Sequence, residues 1–178
     1  MSEKKLIKPV YLIGFMGAGK SSVGRRLSRK YGFEVVDADA YLEQQEGRSI
    51  SQIFAEDGEE AFRLLETKYL EELSLQPRII CTGGGVIKRE ENCEIMKRYG
   101  FAIYLHVTAD AAAARISDLN TRPLFKDLKS ARKLIEERIP LYEHAADARI
   151  DTINRDLAYI CRDVLWLLEK NQLLVEHP

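Results

Sequence analysis

Cysteine is scarce: Cys81, Cys93 and Cys161 are the only ones in 178 residues, an odd number without a Cys-x-x-Cys pair. That leaves free thiols in a reducing cytoplasm as the plain reading. A basic excess is missing too. Lys and Arg number 27 against 28 Asp and Glu, a formal charge of −1, so the electrostatic footprint of a nucleic-acid binder is absent. No uncharged run approaches the ~20 residues of a membrane span. Repeats and low-complexity tracts are lacking, and the Ala111–Ala114 run is ordinary helix material. Lys4, Lys5 and Lys8 ahead of an apolar run imitate a secretory signal. That run leads straight into a glycine loop that removal would destroy, so a cytoplasmic protein is expected. What remains, 46% hydrophobic and 31% charged, is the composition of an ordinary globular chain with one domain over 1–178.

The pattern along the chain alternates strand and helix. Val10–Ile13, just after Pro9, reads as a buried strand, and Ser22 to Tyr31 as a helix with Val23, Leu27 and Tyr31 on one face. A second strand, Phe33–Val36, ends at Asp37. Helical patterns follow at about 40–46, 49–55 and 59–73. The third strand, Arg78–Thr82, closes on Gly83-Gly84-Gly85. A helix over about 89–99 ends at Gly100, read as its C-cap, before a fourth strand at Phe101–Val107. A short helix at about 110–116 precedes an aperiodic stretch, Ser117–Lys129, long enough for a lid. The helix over about 131–139 is expected to end or kink at Pro140. Ala148–Ile150 is a fifth strand, and 156–170 a final helix. Such alternation means a parallel α/β sheet. The tail from Asn171 carries no motif and is expected to fray.

Gly14-Phe15-Met16-Gly17-Ala18-Gly19-Lys20-Ser21 fits the phosphate loop, two glycines five apart followed by Lys and a hydroxyl residue. Its setting between a strand and a helix is the one the motif requires, which disfavours a chance glycine turn. Backbone N–H groups there converge on phosphate oxygens, aided by the helix dipole. Lys20 would reach the β- and γ-phosphates, and Ser21 would sit on Mg²⁺.

The usual metal-managing acid at the end of a second apolar strand is missing. The third strand ends in Thr82 and glycines, and the fourth meets no acid before Asp110. Asp37 and Asp39 stand instead past the carboxyl end of the second strand, where ligands of open α/β sheets bind. Two apart in extended chain, both carboxylates would face the same way. One would order Mg²⁺ through water and the other hold and deprotonate an acceptor hydroxyl, unless one merely caps the next helix. Three glycines in a row allow a backbone N–H to approach a ligand closely. Arg122 in the aperiodic stretch suits charge stabilisation over a γ-phosphate, and Arg138, a half-turn from Pro140, suits bidentate contact with an anion. Arg63, one turn from Glu59 and Glu66, reads on sequence alone as a solvated salt bridge. His106 inside a strand and His144 past a helix end read as structural.

Taken together, these stretches resemble the shikimate kinase family, phosphate-loop small-molecule kinases related to nucleoside monophosphate kinases. The resemblance spans about Val10 to Trp166. It rests on the phosphate loop, Asp37-Ala38-Asp39, Gly47-Arg48-Ser49-Ile50 with Ile53-Phe54, Gly58-Glu59 with Phe62-Arg63 and Glu66, Gly83–Gly85, Arg122-Pro123-Leu124, and Arg138 with Pro140-Leu141-Tyr142. It implies a three-layer α/β fold with a five-stranded parallel sheet of order 2-3-1-4-5. A substrate-binding subdomain at about 38–65 and a lid at about 117–129 would complete it. The implied activity is ATP-dependent phosphorylation of the 3-hydroxyl of shikimate, in aromatic amino-acid synthesis, by a monomer without membrane or nucleic-acid partners. By position, Asp39 would be the base, with Lys20 and Arg122 completing the catalytic set. Gly17, Ala18, Gly19, Lys20, Ser21, Ser22, Arg115, Arg122 and Arg155 would hold ATP, and Ser21 and Asp37 would hold Mg²⁺. Asp39, Arg63, Gly83, Gly84, Gly85 and Arg138 would hold shikimate, which turns Arg63 from a surface ion pair into a ligand. Rival readings are another small-molecule kinase of this fold, such as a gluconate kinase, and a nucleotide-binding homologue without catalysis.

Overall fold

The computed structural model describes the backbone of residues 3–117 and 128–176 and the side chains of 3–114 and 129–176. After a short opening strand β1 (Lys4–Leu6), the four apolar residues behind Pro9 form β2 (Val10–Ile13), all fully buried. There follow α1 (Lys20–Tyr31), β3 (Val35–Asp37), α2 (Ala38–Glu46), α3 (Ile50–Asp57), α4 (Glu59–Leu73) and β4 (Ile79–Cys81). A 3-10 turn at Val86–Lys88 leads to α5 (Glu90–Tyr99), β5 (Phe101–His106), α6 (Ala109–Ser117), α7 (Leu128–Ala145), β6 (Ala148–Asp151), α8 (Leu157–Lys170) and β7 (Leu174–Glu176).

β3, β4, β2, β5 and β6 pair in that order, all parallel, with Tyr11 opposite both Ile80 and Ala102. Leaving β1 aside, this is the expected 2-3-1-4-5. Helices flank the sheet, so its central strands are buried on both faces and read as unbroken apolar runs rather than alternating ones. Val10–Ile13, Ile79–Cys81 and Ala102–Leu105 are buried throughout. A second, smaller core of Leu42, Ile53, Phe62 and Tyr69 joins α2, α3 and α4. Ser49 and Gln52 start α3 with a reciprocal capping box, which satisfies two otherwise orphaned N–H groups.

The expectations for Pro140 and for the tail need correction. Pro140 does not end its helix: α7 runs from Leu128 to Ala145, with His144 inside it. Proline removes one backbone bond, and the buried Ile135, Tyr142 and Ala145 hold both sides of the helix on the core. Gly100 closes α5 as expected, donating to Met96 O at 3.0 Å in extended backbone with φ −155°. Glycine is required there by proximity, since a Cβ would lie 2.8 Å from the Pro9 carbonyl carbon. The tail does not fray as far as Glu176. β7 pairs antiparallel with β1, and Leu173 beside it is buried. The stretch expected to form a lid falls mainly on 118–127, outside the described residues.

Candidate active site

The phosphate loop leaves the carboxyl end of β2 in backbone that needs glycine. Gly17 and Gly19 have φ of +83° and +91°, a region that costs other residues strain. Gly19 is also the N-cap of α1, whose first turn has neither a side-chain cap nor an acidic residue. The first N–H groups of the helix therefore face the cleft with their dipole. Lys20 Nζ donates to the carbonyls of Gly14 and Phe15, which holds the cation at the loop. A cleft of about 450 Å³ opens here, lined by Gly17, Gly19, Lys20, Ser21, Ser22, Asp37, Asp39, Glu43, Thr82, Gly83 and Gly84 among others. Ala18, though in the loop, is buried.

Asp37 and Asp39 both line this cleft, though not through strand alternation. β3 ends at Asp37, and Asp39 already lies in the first turn of α2. The cap belongs to Asp37, whose Oδ1 accepts from the Ala40 N–H at 3.0 Å while Oδ2 accepts from Ser21 Oγ at 3.1 Å. Asp39 is left for chemistry. Burial, with the nearby Glu66, Asp37 and Glu43 carboxylates, pushes its pKa up to about 6, against the pull of Lys20.

On the far side of Asp39 lies a second cleft of about 600 Å³, sharing Met16, Asp39, Gly83 and Gly84 with the first. Its apolar wall is Ile50, Phe54, Ala55 and Phe62, and its charged end is Arg63, Glu66 and Arg138. The glycine run makes the dividing wall. A Cβ on Gly83 would lie 2.7 Å from Asp39 Oδ1, and one on Gly85 2.6 Å from Arg63 Nη2. Side chains here would fill the space the functional groups occupy.

Arg63 is no solvated ion pair. Its side chain is 12% exposed, and it meets Glu66 at 2.9 Å and Glu59 at 3.5 Å. Arg138 is buried, its guanidinium 5.6 Å from the centre of the Phe15 ring. Among the described residues, the Nε atoms of Arg63 and Arg138 and Oε2 of Glu66 are buried without a partner. Buried donors left unpaired are costly, and two guanidiniums with spare N–H groups in one cleft fit a carboxylate. Glu66 has its own pKa raised by burial, opposed by Arg63, Lys88 and Arg138.

Of the nucleotide-side residues, Arg155 lies in a separate open cleft with Asn154, Asp156 and Tyr159, and pairs with Asp163. The side chain of Arg115 and the whole of Arg122 fall outside the described residues. Sequence reasoning named Glu66, Ile50, Phe54 and Phe62 as motif residues without giving them a place in the site, and it missed Glu43, Thr82 and Ala55. Apolar residues at helical spacing read as core, and nothing local marks the ones that face a cleft.

The family model described as shikimate kinase matches residues 16–169. A shikimate kinase from Dehalococcoides mccartyi is 42% identical over 164 residues, covering 90% of this chain and 93% of that protein. Among solved structures, a shikimate kinase from Acinetobacter baumannii in complex with shikimate superposes with a TM-score of 0.84 at 34% identity, over 93% of this chain and 95% of that one. A gluconokinase from Sinorhizobium meliloti reaches 0.61 at 19% identity, over 93% and 94%, which shows a shared fold alone. On the family match and the identity to curated relatives, the chain belongs to the shikimate kinase family.

Proposed function

We propose that this protein transfers the γ-phosphoryl group of ATP to the 3-hydroxyl of shikimate. One observation carries the reading. Asp39 stands in both clefts, between a phosphate-binding loop and a pocket that ends in two arginines. The phosphate loop backbone and Lys20 hold the donor's β- and γ-phosphates. The Arg63 and Arg138 guanidiniums take the acceptor carboxylate, which fixes the ring against Ile50, Phe54 and Phe62. The acceptor hydroxyl is then directed at Asp39. With a pKa of about 6, that carboxylate is ionised at neutral pH yet basic enough to take the hydroxyl proton as the new P–O bond forms. Phosphoryl transfer rests mainly on positioning and charge, and both are built into the wall between the clefts.

The oxygen pair Ser21 and Asp37, 3.1 Å apart, fits Mg²⁺, which takes few protein ligands beside its waters and substrate phosphates. No group of three or more His, Cys, Asp or Glu that could hold a metal occurs among the described residues. When bound, Mg²⁺ neutralises charge on the phosphate oxygens. Arg122 is assigned to the same charge from the lid, with Arg115 and Arg155 at the adenine of ATP, on the family resemblance. The buried, unpaired Cys81, Cys93 and Cys161 support a reducing compartment. No described helix is long and apolar enough to cross a membrane. The phosphate-loop cleft and the acceptor cleft are both lined by residues of one chain, which supports a monomer.

The deciding experiment is ADP release by the purified chain with ATP and Mg²⁺, comparing shikimate with gluconate. Release that depends on shikimate supports the assignment. Phosphorylation of gluconate but not shikimate overturns it.

A further inference from the structure

Tyr142 is fully buried and lines neither cleft. Its hydroxyl donates to the Gly84 carbonyl. Its ring stacks on Tyr104, with centroids 5.1 Å apart and planes 20° apart. Tyr104 is anchored in turn, its hydroxyl 2.9 Å from His106 Nδ1. Burial pushes the Tyr142 phenol up to about 12, opposed by the Arg138 cation and by a hydrogen bond between the phenol and the Arg138 side chain, so it remains a proton donor at any working pH.

The carbonyl it holds belongs to the wall between the clefts. Gly83 to Val86 form a turn closed by the Val86 N–H on Gly83 O at 3.2 Å, and Gly84–Gly85 is its central peptide. No cis peptide occurs among the described residues, so the Gly84 C=O and the Gly85 N–H point in opposite directions. Tyr142 takes the oxygen side. The Gly85 N–H is thereby turned away from Tyr142, and Gly85, itself buried, lines the cleft of Arg63 and Arg138. Among the described residues no group accepts from that N–H, although a buried amide without an acceptor is costly.

We propose that Tyr142 is a positioning residue for the acceptor: by holding the Gly84 carbonyl it turns the Gly85 N–H into the cleft, where that N–H donates to an oxygen of the hydroxylated carboxylate substrate. The inference rests on the assignment of this cleft to shikimate. Without the Tyr142 hydroxyl, the glycine peptide has no side-chain bond among the described residues to fix its plane, and each binding event must order it afresh.

Tyr142→Phe in the full chain keeps the ring and its stack and removes only the hydroxyl. Its KM for shikimate is expected to rise about three- to tenfold, with the hydroxyl's bonds to the Gly84 carbonyl and to Arg138 lost, and the Gly85 amide measurement below separates the glycine route from the Arg138 one. KM for ATP and kcat should stay within about twofold, the split expected when ground and transition states lose the same contact. Tyr104→Phe, which keeps the stack and loses only the bond to His106, should leave the shikimate KM unchanged. In the parent protein, labelled with ¹⁵N-glycine, the Gly85 amide resonance should move on adding shikimate and not on adding ADP. A parental shikimate KM in Tyr142→Phe, an equal rise for both substrates, or a Gly85 amide indifferent to shikimate overturns the proposal. The amide measurement decides even if the variant does not fold. A parent that neither binds nor phosphorylates shikimate overturns the acceptor assignment instead.

Discussion

Ser21 and Asp37 are joined by one hydrogen bond, Oγ to Oδ2 at 3.1 Å, while the other oxygen of the same carboxylate caps α2 through the Ala40 N–H at 3.0 Å. Asp37 thus caps α2 with one oxygen and meets Ser21 with the other, so its cap and the Mg²⁺ role proposed for it separate by substitution. Asparagine caps helices as well as aspartate but brings no charge. Asp37→Asn should keep the melting temperature of the parent while the Mg²⁺ needed for half-maximal rate rises about 10- to 100-fold. Titrating Mg²⁺ at saturating ATP reads this directly. An unchanged Mg²⁺ requirement would leave Asp37 a helix cap only.

Asp39 makes the opposite trade. Its pKa is raised from 3.8 to about 6 in the folded chain. The stability linked to its protonation is therefore full below about pH 4 and lost as pH rises through about 6. At neutral pH its ionised form strains the fold. Asp39→Asn should lower kcat by about 10²- to 10⁴-fold and yet stabilise the protein, by about 1 to 3 kcal/mol at pH 7. In the parent, kcat/KM should fall on the acid side of about pH 6, since only the ionised carboxylate accepts the proton. A variant that is slow and also less stable would show that Asp39 holds the fold together rather than being held by it.

How much of this was legible follows from how local each signal is. The phosphate loop and the central strands are written in short stretches, because a glycine turn and an all-apolar run each have one cheap conformation. The carboxylate pair was legible in place but not in geometry: strand alternation does not reach Asp39, which turns with α2. Arg63 shows the limit most plainly. Its spacing to Glu59 and Glu66 is that of a surface ion pair, and only the packing of α4 under the glycine run, at 12% side-chain exposure, makes it a buried group. Pro140 inside α7 and the β1–β7 pair were illegible for the same reason. Tertiary burial of Tyr142, Ala145 and Leu173 outweighs a local rule.

The three glycines of the wall should respond differently to one added methyl. On Gly84 its nearest neighbour is Arg138 Nη1 at 3.6 Å, an ordinary contact, whereas on Gly83 it meets Asp39 Oδ1 at 2.7 Å and on Gly85 Arg63 Nη2 at 2.6 Å. Gly84→Ala should be close to parental. Gly83→Ala should chiefly lower kcat by displacing the base, and Gly85→Ala should chiefly raise the shikimate KM by displacing the clamp. Steady-state kinetics of the three variants, with KM for ATP as the shared reference, tests the gradient. Equal damage at all three would mean that the run is needed for its backbone alone.

Leu173 ties the carboxyl-terminal segment to the rest. It is 2% exposed, its N–H reaches Leu168 O at 2.9 Å, and its carbonyl accepts from the Ile7 N–H at 3.0 Å. Val175, two residues on, is 49% exposed. A buried leucine cut to alanine typically costs about 2 to 5 kcal/mol, and each kcal/mol moves the midpoint of a domain this size by about 2 to 4 °C. Leu173→Ala should therefore melt at least about 4 °C below the parent, while Val175→Ala should differ little. Both should keep parental kcat and KM at 25 °C, because neither residue lines either cleft. Thermal melting of the pair decides. If Leu173→Ala melts with the parent, the β1–β7 pairing adds nothing to the fold and the segment is dispensable, whereas a loss of activity in the folded variant would tie that segment to the site by a route its packing does not provide.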